Sequence, residues 1–365
     1  MTGNRHIILI SSYLHVPGGY ERAVVETATL LHQQGWQVTL LILAGQPESF
    51  YPLPEGISIL QAELNFGISP EGNMFSRKAR FLKDILELRK LVARVQPAHI
   101  ICSEYHFAVA AVLAGAGQKA KVYSWEHHHY ATQHRNLFWK TLFYYAYRRL
   151  DAVICLNPDE QAWYARINKK TIVIPNFTAV PAGSGMAAPS YELISISRFN
   201  AIKGIDLLVD TARIVFSRRP GTRWLVIGYG EKESWLRDQI EKEGWQNTLL
   251  LHTADKPDVA DYYRQARLFV MTSRNECFPL VLLEAMRCGL PCLAFDCDTG
   301  PRHIIRDHIN GRLAEKENPV SLAETILYVL DNTEESVRLA AGALETAGSY
   351  TPEIIYKKWE ALLLQ

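Results

Sequence analysis

The densest group of residues that could do chemistry lies at positions 273–286, in the sequence SRNECFPLVLLEAM. Pro279 favours the first turn of a helix, so Glu276 is expected in the loop before that helix and Glu284 about five residues inside it. The helix is otherwise apolar, which makes Glu284 costly to bury unless it meets a ligand or a partner. One carboxylate can hold sugar hydroxyls and the other a ribose, with a diphosphate at the helix N-terminus between them. The alternative is a capping acid and a buried, salt-bridged glutamate.

Two cations lie upstream, where the predicted core strand LISIS ends and a helix begins. Arg198 and Lys203 could together neutralise a diphosphate, and the N-terminus of the helix would add partial positive charge. Without the rest of the pattern, two solvated surface cations would be the simpler interpretation.

Glycines follow two other predicted strands. Gly18 and Gly19 open a helix, so the backbone there could approach an anion closely, although a plain strand–helix turn explains the pair equally well. Gly228 and Gly230 form a Gly-x-Gly segment that predicts a tight turn bordering a binding cleft. The Gly-x-Gly-x-x-Gly dinucleotide fingerprint and the Walker A sequence are both absent from the sequence, which argues against a dehydrogenase or a P-loop protein.

The elements that must position these residues alternate along the whole chain. Strands are predicted at 6–11, 37–43, 99–102, 121–125, 152–156, 171–175, 193–197, 224–228, 249–252, 268–272 and 292–295, and helices at 20–34, 204–218, 232–243 and 280–288. Residues 178–190 show no periodicity and are predicted to be a linker. Apolar strands alternating with helices predict parallel sheets covered on both faces, hence an α/β protein of two doubly wound, Rossmann-like domains facing a central cleft. The predicted bounds are 1–178 and 179–348, with a C-terminal helix at 349–365 packing back toward the first domain.

Length and composition indicate the number of domains, the cellular compartment and the classes of partner that the chain could bind. A chain of 365 residues is longer than one core usually supports. Lys and Arg total 39 against 38 Asp and Glu, so the chain is not expected to bind nucleic acid through its overall charge. The N-terminal apolar run is too short for a secretory signal, and no run reaches the roughly 20 residues of a spanning helix, which predicts a cytoplasmic protein. The six cysteines are expected to be reduced and buried, and their spacing does not suggest zinc.

These segments together resemble glycosyltransferase family 4. The resemblance rests on Glu276-x7-Glu284 within NECFPLVLLEAMRCGLPCLAFD, on SRFNAIKGID, on the IGYGE loop and on PGGYERAVVETATLL. It covers nearly the whole chain and is strongest over residues 193–315. It implies the two-domain GT-B fold, a nucleotide-sugar donor, transfer with retention of anomeric configuration, and no metal or other cofactor.

The resemblance also implies catalytic roles for four residues. Glu276 would contact hydroxyls of the donor sugar, while Arg198 and Lys203 would grip the diphosphate and stabilise the leaving group. His127, the first of three consecutive histidines, would reach the donor sugar; a metal site or a polar loop is the alternative for that run. Glu284 would bind the donor ribose. The other implied donor contacts come from Gly18, Gly19, Gly228, Gly230, Phe278, Pro279 and Leu280.

The loop after CLAFD reads Cys297-Asp298-Thr299-Gly300-Pro301-Arg302, where many family members have Gly-Gly followed by an acid. The TGPR form resembles members that act on UDP-galactose, UDP-N-acetylgalactosamine or UDP-N-acetylglucosamine in bacterial surface-glycan assembly. The predicted reaction is retaining transfer of a hexose or N-acetylhexosamine, from a UDP-sugar above other nucleotide-sugars. The expected acceptor is a glycan or a polyprenyl-diphosphate-linked glycan, as in surface polysaccharide, O-antigen or lipopolysaccharide assembly.

Two basic stretches of the N-terminal half suggest contact with an anionic membrane surface. One runs from Arg77 to Arg94, and its apolar positions 81, 82, 85, 88, 91, 92 and 95 fit one face of a helix. The other runs from His134 to Arg149 and mixes aromatic residues with cations. Helices packed on the sheet with solvated charges are the alternative for both stretches and the favoured one for the first. If the second stretch binds lipid, the protein is peripheral on the inner face of the cytoplasmic membrane.

Two other functions fit the same architecture. A nucleotide-sugar epimerase or hydrolase would act on the donor without an acceptor. A non-catalytic sugar-nucleotide-binding protein would keep the fold, but it would be expected to lose some of the two acids and two cations described above.

Overall fold

The structure is a computed structural model that describes residues 4–66, 74–133, 135–183, 189–254, 256 and 259–365, with the backbone alone at 74 and 75. The chain divides into two compact units. Unit 1 comprises residues 1–175 and 355–365, and unit 2 comprises residues 176–354. Each unit contains a parallel sheet with helices between its strands, so the predicted α/β class of two Rossmann-like domains is confirmed.

Unit 1 has a seven-stranded sheet in the order β3-β2-β1-β4-β5-β6-β7. Its strands are β1 (His6–Ser11), β2 (Gln37–Ile42), β3 (Ser58–Gln61), β4 (His99–Cys102), β5 (Lys121–Glu126), β6 (Ala152–Cys155) and β7 (Thr171–Val173). Its helices are α1 (Gly19–Gln33), α2 (Met74–Val95), α3 (Tyr105–Leu113), α4 (Leu137–Tyr147) and α5 (Pro158–Tyr164). Every residue of β1 and β4 is buried, as near-continuous apolar strands require.

Unit 2 has a six-stranded sheet in the order β10-β9-β8-β11-β12-β13. Its strands are β8 (Tyr191–Arg198), β9 (Trp224–Tyr229), β10 (Leu249–Thr253), β11 (Ala266–Met271), β12 (Cys292–Phe295) and β13 (Gly311–Ala314). Its helices are α6 (Ile205–Arg218), α7 (Glu233–Lys242), α8 (Ala260–Tyr263), α9 (Leu280–Arg287), α10 (Pro319–Asp331) and α11 (Thr333–Ala347). The last helix of the chain, α12 (Pro352–Leu363), lies mostly in unit 1, where Trp359 packs edge-on against Trp125 with ring centroids 5.4 Å apart.

Every strand predicted from the sequence, and the helices predicted at 20–34, 204–218, 232–243 and 280–288, are present within two residues of their expected bounds, whereas the C-terminal helix, predicted at 349–365, begins at Pro352 and ends at Leu363. The strands β3 and β13 were not predicted, and both are the outer strands of their sheets. Of the predicted linker, residues 178–183 are irregular, and Thr178 and Val180 are buried; residues 184–188 lie outside the described residues.

The prediction that the apolar positions of α2 share one packed face is partly wrong. Ile85, Leu88 and Leu91 belong to the core of unit 1, but the side chain of Leu82 is 62 % exposed. No helix within the described part of the chain combines the length and the apolar character that crossing a membrane demands.

We expect acid to weaken this fold through His99, a buried residue of β4. Burial, aided by the charge of Lys121 and opposed by that of Asp151, lowers the pKa of His99 to about 4. The unfolded chain, with an ordinary pKa of about 6.5, therefore binds a proton that the folded chain does not between pH 6.5 and 4, so stability falls as the pH falls through this window. The free energy of unfolding of the His99→Gln variant should fall by about 1–3 kcal/mol less than that of the wild type over this range, measured by urea denaturation. Parallel curves for the two proteins would contradict the assignment.

Candidate functional site

The sheet order of unit 2 brings the loops after β8 and β11 side by side, because these strands are hydrogen-bonded neighbours. Ligands of parallel α/β sheets bind at the carboxyl ends of the strands. The loop after β8 carries Lys203, and the loop after β11 carries Glu276. Two residues that are 73 positions apart in the chain therefore meet at the carboxyl ends of the strands.

Lys203 and Glu276 form an ion pair, with Lys203 Nζ 2.6 Å from Glu276 Oε1. Ser273 Oγ donates to the same carboxylate oxygen at 2.7 Å. The backbone of Lys203 is also held, since its N–H donates to Asn200 Oδ1 at 3.0 Å and its carbonyl accepts from Thr272 Oγ1 at 3.1 Å. The lysine and the glutamate are thus fixed from both loops, so Lys203 is not a solvated surface cation.

Two glycines allow the backbones around Lys203 and Glu276 to pack this closely. A Cβ on Gly300, which has φ +86°, would lie 2.7 Å from Glu276 Cβ and 2.8 Å from the Glu276 carbonyl oxygen. A Cβ on Gly204, directly after Lys203, would lie 2.1 Å from the Thr272 carbonyl oxygen. Gly300 belongs to the TGPR segment, so that segment supports the backbone of Glu276.

Arg198 ends β8, and its guanidinium carbon lies 5.6 Å from the centre of the Tyr229 ring. The neighbouring glycines have a packing role, because a Cβ on Gly228 would lie 2.7 Å from the Phe199 ring and one on Gly230 would lie 2.5 Å from the Phe199 carbonyl oxygen. Gly228 lies inside β9 rather than in a turn. The predicted contacts of these residues with a diphosphate stay predictions.

Glu284 is the fifth residue of α9 and is 3 % exposed. The Tyr263 hydroxyl donates to Glu284 Oε2 at 2.9 Å. The sequence predicted a ligand or a salt-bridge partner for this acid, and the structure adds a hydrogen bond from a tyrosine of α8. Its predicted role at a ribose stays a prediction.

The loop before α9 is packed into unit 2. Phe278 is buried against the Tyr350 ring, with centroids 5.5 Å apart, and its carbonyl accepts from Asn176 Nδ2 at 3.4 Å. Pro279 caps the helix, which begins at Leu280. Since proline has no N–H, only the amides of Phe278 and Leu280 could donate to a ligand from this predicted trio.

In unit 1, the predicted glycine loop is anchored by Tyr51, whose hydroxyl lies 3.2 Å from the Gly18 nitrogen and 3.3 Å from its carbonyl oxygen. Gly19 is the first residue of α1, and a Cβ there would meet nothing within 4 Å. Gly18 is extended, with φ 179°, a conformation open to any residue. The backbone of the loop does not itself require glycine at these two positions, which keeps a ligand-contact role open for them.

His127 follows β5 and packs against two aromatic rings. Its ring centroid lies 4.1 Å from that of Trp125 and 5.1 Å from that of Tyr20, which it meets edge-on. Its Nε2 is shielded from solvent and makes no hydrogen bond within the described residues. Burial, aided by the neighbouring His128, holds the pKa of His127 well below its usual range, so the ring is neutral at pH 7.

A buried network fixes the start of the histidine run. Glu126, the last residue of β5, is 1 % exposed and accepts hydrogen bonds from the hydroxyls of Ser124, Tyr147 and Tyr164, the last at 2.8 Å. A buried carboxylate that accepts three hydrogen bonds holds its neighbours in one arrangement. The network therefore orients the backbone that leads into His127.

A second carboxylate fixes the end of the run. Glu160 Oε1 pairs with His129 Nδ1, and Glu160 Oε2 accepts from the Tyr130 N–H at 3.1 Å. No group of three or more His, Cys, Asp or Glu that could hold a metal ion was found among the described residues.

Sequence reasoning missed Glu104 and Tyr20. Glu104 follows β4, and Ser12 Oγ donates to its Oε1 at 2.8 Å. The Tyr20 hydroxyl lies 2.8 Å from Ser11 Oγ and 2.6 Å from Ser103 Oγ, so it joins α1 to the ends of β1 and β4. The position of Ser103 and Glu104 directly after an apolar strand was the signal that could have found them.

Comparison with known proteins places the chain among enzymes that transfer sugars. A model described as Glycosyltransferase Family 4 matches residues 17–179, and one described as Glycosyl transferases group 1 matches residues 179–346. An uncharacterized glycosyltransferase of Haemophilus influenzae is 23% identical to this chain and aligns with 95% of it and 96% of its own length. The amylovoran biosynthesis glycosyltransferase AmsD of Erwinia amylovora is 26% identical, over 95% of this chain and 96% of its own length.

A solved structure has the same fold. A mutant of S. aureus TarM in complex with fondaparinux, α-GlcNAc-glycerol and UDP superposes with a TM-score of 0.80 and 14% identity, over 99% of this chain and 100% of that chain. At this identity the likeness concerns the fold alone.

Proposed function

Because the chain belongs to the glycosyltransferases of family 4 type with the GT-B fold, we propose that it transfers a hexose or N-acetylhexosamine from a UDP-sugar to a cell-surface glycan acceptor, with retention of anomeric configuration. Family membership makes it a glycosyltransferase. The identity of the donor, the acceptor and the stereochemical course form the proposal.

The observation that carries the proposal is the ion pair between Lys203 and Glu276 at the carboxyl ends of β8 and β11. An ammonium group has three N–H donors, so Lys203 can hold Glu276 and a phosphate oxygen together. The same arrangement orients the carboxylate of Glu276 for sugar hydroxyls. A cation and an acid fixed against each other in this way suit a ligand that carries a diphosphate beside a sugar.

The chemistry requires charge stabilisation at the leaving group. The bond between the anomeric carbon and the phosphate oxygen breaks, negative charge grows on the diphosphate, and the sugar becomes like an oxocarbenium ion. Lys203 and Arg198 would stabilise the growing charge. The acceptor oxygen then bonds to the anomeric carbon on the face that the phosphate leaves, and its proton passes to the released phosphate oxygen.

The names of relatives support the choice of substrates. AmsD is named for the biosynthesis of amylovoran, and the TarM structure contains UDP and α-GlcNAc-glycerol. The TGPR segment, with its resemblance to enzymes that use UDP-galactose and UDP-N-acetylhexosamines, favours the same donors.

A panel of UDP-, GDP- and ADP-sugars scored by thermal shift tests the donor, because a ligand that binds only the native state raises the melting temperature. We expect UDP-galactose, UDP-N-acetylgalactosamine or UDP-N-acetylglucosamine to give the largest shift. Products formed with and without a glycan acceptor are then compared by NMR. An α-linked product from an α-linked donor supports retention, whereas an epimerised or hydrolysed donor at equal rates without acceptor would overturn the proposal.

We further propose that unit 1 docks on an anionic membrane through a surface formed by α2 and α4. Leu82 and Leu86 of α2 and Leu137 and Phe138 of α4 are exposed, Leu137 by 81 %. The ring of Phe81 lies 5.9 Å from that of Phe138 and links the two helices. Exposed cations lie on the same two helices and directly after α4, namely Lys78, Lys83, Arg89, Lys90, Lys140, Arg148 and Arg149. Exposed apolar side chains beside cations fit the headgroup region of an anionic bilayer. His134, at the start of the second predicted stretch, lies outside the described residues.

Co-sedimentation with vesicles tests this surface. The protein should bind vesicles of phosphatidylglycerol and phosphatidylcholine at low salt, and bind weakly at high salt or to phosphatidylcholine alone. The double variant Leu82→Ser/Phe138→Ser should bind about tenfold more weakly or worse, because both side chains lose their apolar contact with lipid. Val337→Ser, which changes an exposed apolar residue of unit 2, is the matched control. Equal binding by the double variant and the control would remove the membrane proposal.

A further inference from the structure

Arg274 lies in the loop after β11, two positions before Glu276, and contacts the loop after β8, which carries Lys203. Its guanidinium binds both oxygens of one carboxylate: Nη1 donates to Asp206 Oδ1 at 2.8 Å, and Nη2 donates to Asp206 Oδ2 at 2.5 Å. Paired hydrogen bonds of this kind are stronger and more directional than a single surface ion pair. Asp206 belongs to the first turn of α6, so the pair fixes the point where the loop after β8 ends.

The loop after β11 also holds three successive carbonyls of the loop after β8. Nη1 of Arg274 donates to the Ala201 carbonyl at 2.8 Å, and the backbone N–H of Arg274 donates to the Ile202 carbonyl at 2.8 Å. The Lys203 carbonyl accepts from Thr272 Oγ1 at 3.1 Å. Ala201 and Ile202 are exposed. Hydrogen bonds rather than burial therefore fix the backbone that leads into Lys203.

The segment after β13 supports the guanidinium as well. Nε of Arg274 donates to Glu317 Oε2 at 3.0 Å. Glu317 has φ +54°, a left-handed conformation that residues other than glycine adopt rarely and that persists where surrounding contacts hold it. Four of the five N–H groups of the guanidinium thus have an acceptor in the protein. The side chain joins three loops and is not built to hold a ligand.

The position of the Lys203 ammonium depends on the backbone that Arg274 holds. A lysine side chain is a flexible four-carbon stem, so the place of its ammonium group is set by where the backbone is fixed and by the contact with Glu276. A misplacement of about 1 Å at a catalytic group can cost about 10²-fold in rate. An anchor of this loop can therefore affect catalysis without any contact of its own with the substrate.

We infer that Arg274 is a positioning residue of the transfer reaction, which fixes the backbone of residues 201–206 so that the ammonium of Lys203 lies where negative charge grows on the leaving diphosphate. The effect on the reaction rests on the proposed function. The anchoring of the loop by Arg274 does not depend on it. Arg274 acts through Lys203 and not through the reacting atoms.

A kinetic double-mutant cycle tests the inference with the UDP-sugar identified by the donor panel. Arg274→Ala should lower kcat by about 10–10²-fold in the otherwise wild-type protein. In Lys203→Ala the same substitution should change kcat by less than about threefold, because a residue that acts through Lys203 then has nothing left to position. Arg213→Ala is the matched control. It removes an arginine of α6 that pairs with Asp210 and Glu243, each at 2.8 Å, and kcat should stay within about twofold.

Hydrogen exchange followed by mass spectrometry reports on the loop without any need for turnover. The N–H of Lys203 donates to Asn200 Oδ1, and the N–H of Gly204 donates to the Ala201 carbonyl, so both are protected in the folded loop. A peptide spanning residues 200–206 should exchange at least about tenfold faster in Arg274→Ala than in the wild type or in Arg213→Ala. Exchange of β8 and β11 should be the same in all three proteins.

Each other outcome has a definite meaning. A folded Arg274→Ala protein that keeps its kcat overturns the inference, and so does an equal loss of kcat with and without Lys203, since that indicates a general structural role. If Arg274→Ala does not fold, Asp206→Ala, which removes the acceptor of the paired hydrogen bonds, is taken through the same measurements and decides instead.

The exchange measurement also separates the two proposals. Equal exchange of residues 200–206 in the wild type and in Arg274→Ala overturns the inference whatever the activity. If the wild type transfers sugar from no nucleotide-sugar while Arg274→Ala loosens this segment, the proposed function fails and the anchoring of the loop by Arg274 stands.

Discussion

Replacement of Lys203 by alanine is expected to lower kcat by about 10²–10³-fold, the usual cost of losing one group that stabilises charge in a transition state. The ammonium group of Lys203 contacts Glu276 at 2.6 Å, so its loss removes a cation from the leaving group and also frees the carboxylate. Turnover of the UDP-sugar identified by the donor panel measures the effect. The KM for this donor should rise by a smaller factor, because the lost interaction strengthens as negative charge develops on the diphosphate.

Two variants separate this effect from a general loss of structure. Lys203→Met keeps much of the side-chain length without the charge and should be impaired to a similar degree. Lys242→Ala removes an exposed cation from α7 of the same unit and should leave kcat within about twofold, as surface substitutions usually do. If Lys203→Ala keeps its melting temperature and its kcat, the assigned role at the diphosphate is wrong.

The second large effect is expected at Gly300, which touches no predicted ligand itself. A methyl group on Gly300 would lie 2.7 Å from Glu276 Cβ and 2.8 Å from its carbonyl oxygen, so Gly300→Ala must displace the backbone of Glu276. A misplacement of about 1 Å at a catalytic group can cost about 10²-fold in rate. We therefore expect kcat to fall by about 10²-fold.

Gly221 provides a matched control for this substitution. Its φ of +87° is close to the +86° of Gly300, but a Cβ there would meet nothing within 4 Å. Gly221→Ala should therefore show the conformational cost of a positive φ, about 1–2 kcal/mol in stability, with kcat unchanged. Equal activity of the two alanine variants would show that the contact of Gly300 with Glu276 has no functional consequence.

Arg198, Lys203 and Glu276 were accessible to sequence analysis because each lies at the end of an apolar strand or in the loop after it. The two strands, β8 and β11, are interior to the sheet, and interior strands of parallel sheets are continuous apolar runs. The same reasoning failed for β3 and β13, which lie at the edges of their sheets and are partly exposed, so neither shows such a run. It also missed α3, whose sequence YHFAVAAVL is apolar on nearly all sides because the helix is largely buried and has no polar face to reveal its period.

The two carboxylates at the carboxyl ends of β4 and β5 show a different limit. Glu104 and Glu126 are 22 residues apart in the chain and belong to the ends of neighbouring strands, as the pairing of β4 with β5 shows. Their types and positions are visible in the sequence. Which of their oxygens is already occupied is decided by Ser12 of the loop after β1, by Tyr147 of α4 and Tyr164 of α5, and by Ser124 of β5.

The sequence alone determined the class of fold, the alternation of strands and helices, and the residues of unit 2 whose types suit a nucleotide-sugar, because these depend on local pattern and on the rule that sites form where parallel strands end. The tertiary structure decided which of these groups are partners, since that depends on which strands are neighbours and on backbone contacts that a single Cβ would prevent. The pairing of Lys203 with Glu276, the support of Glu276 by Gly300, and the hydrogen bond from Ser12 to Glu104 all arise in this way.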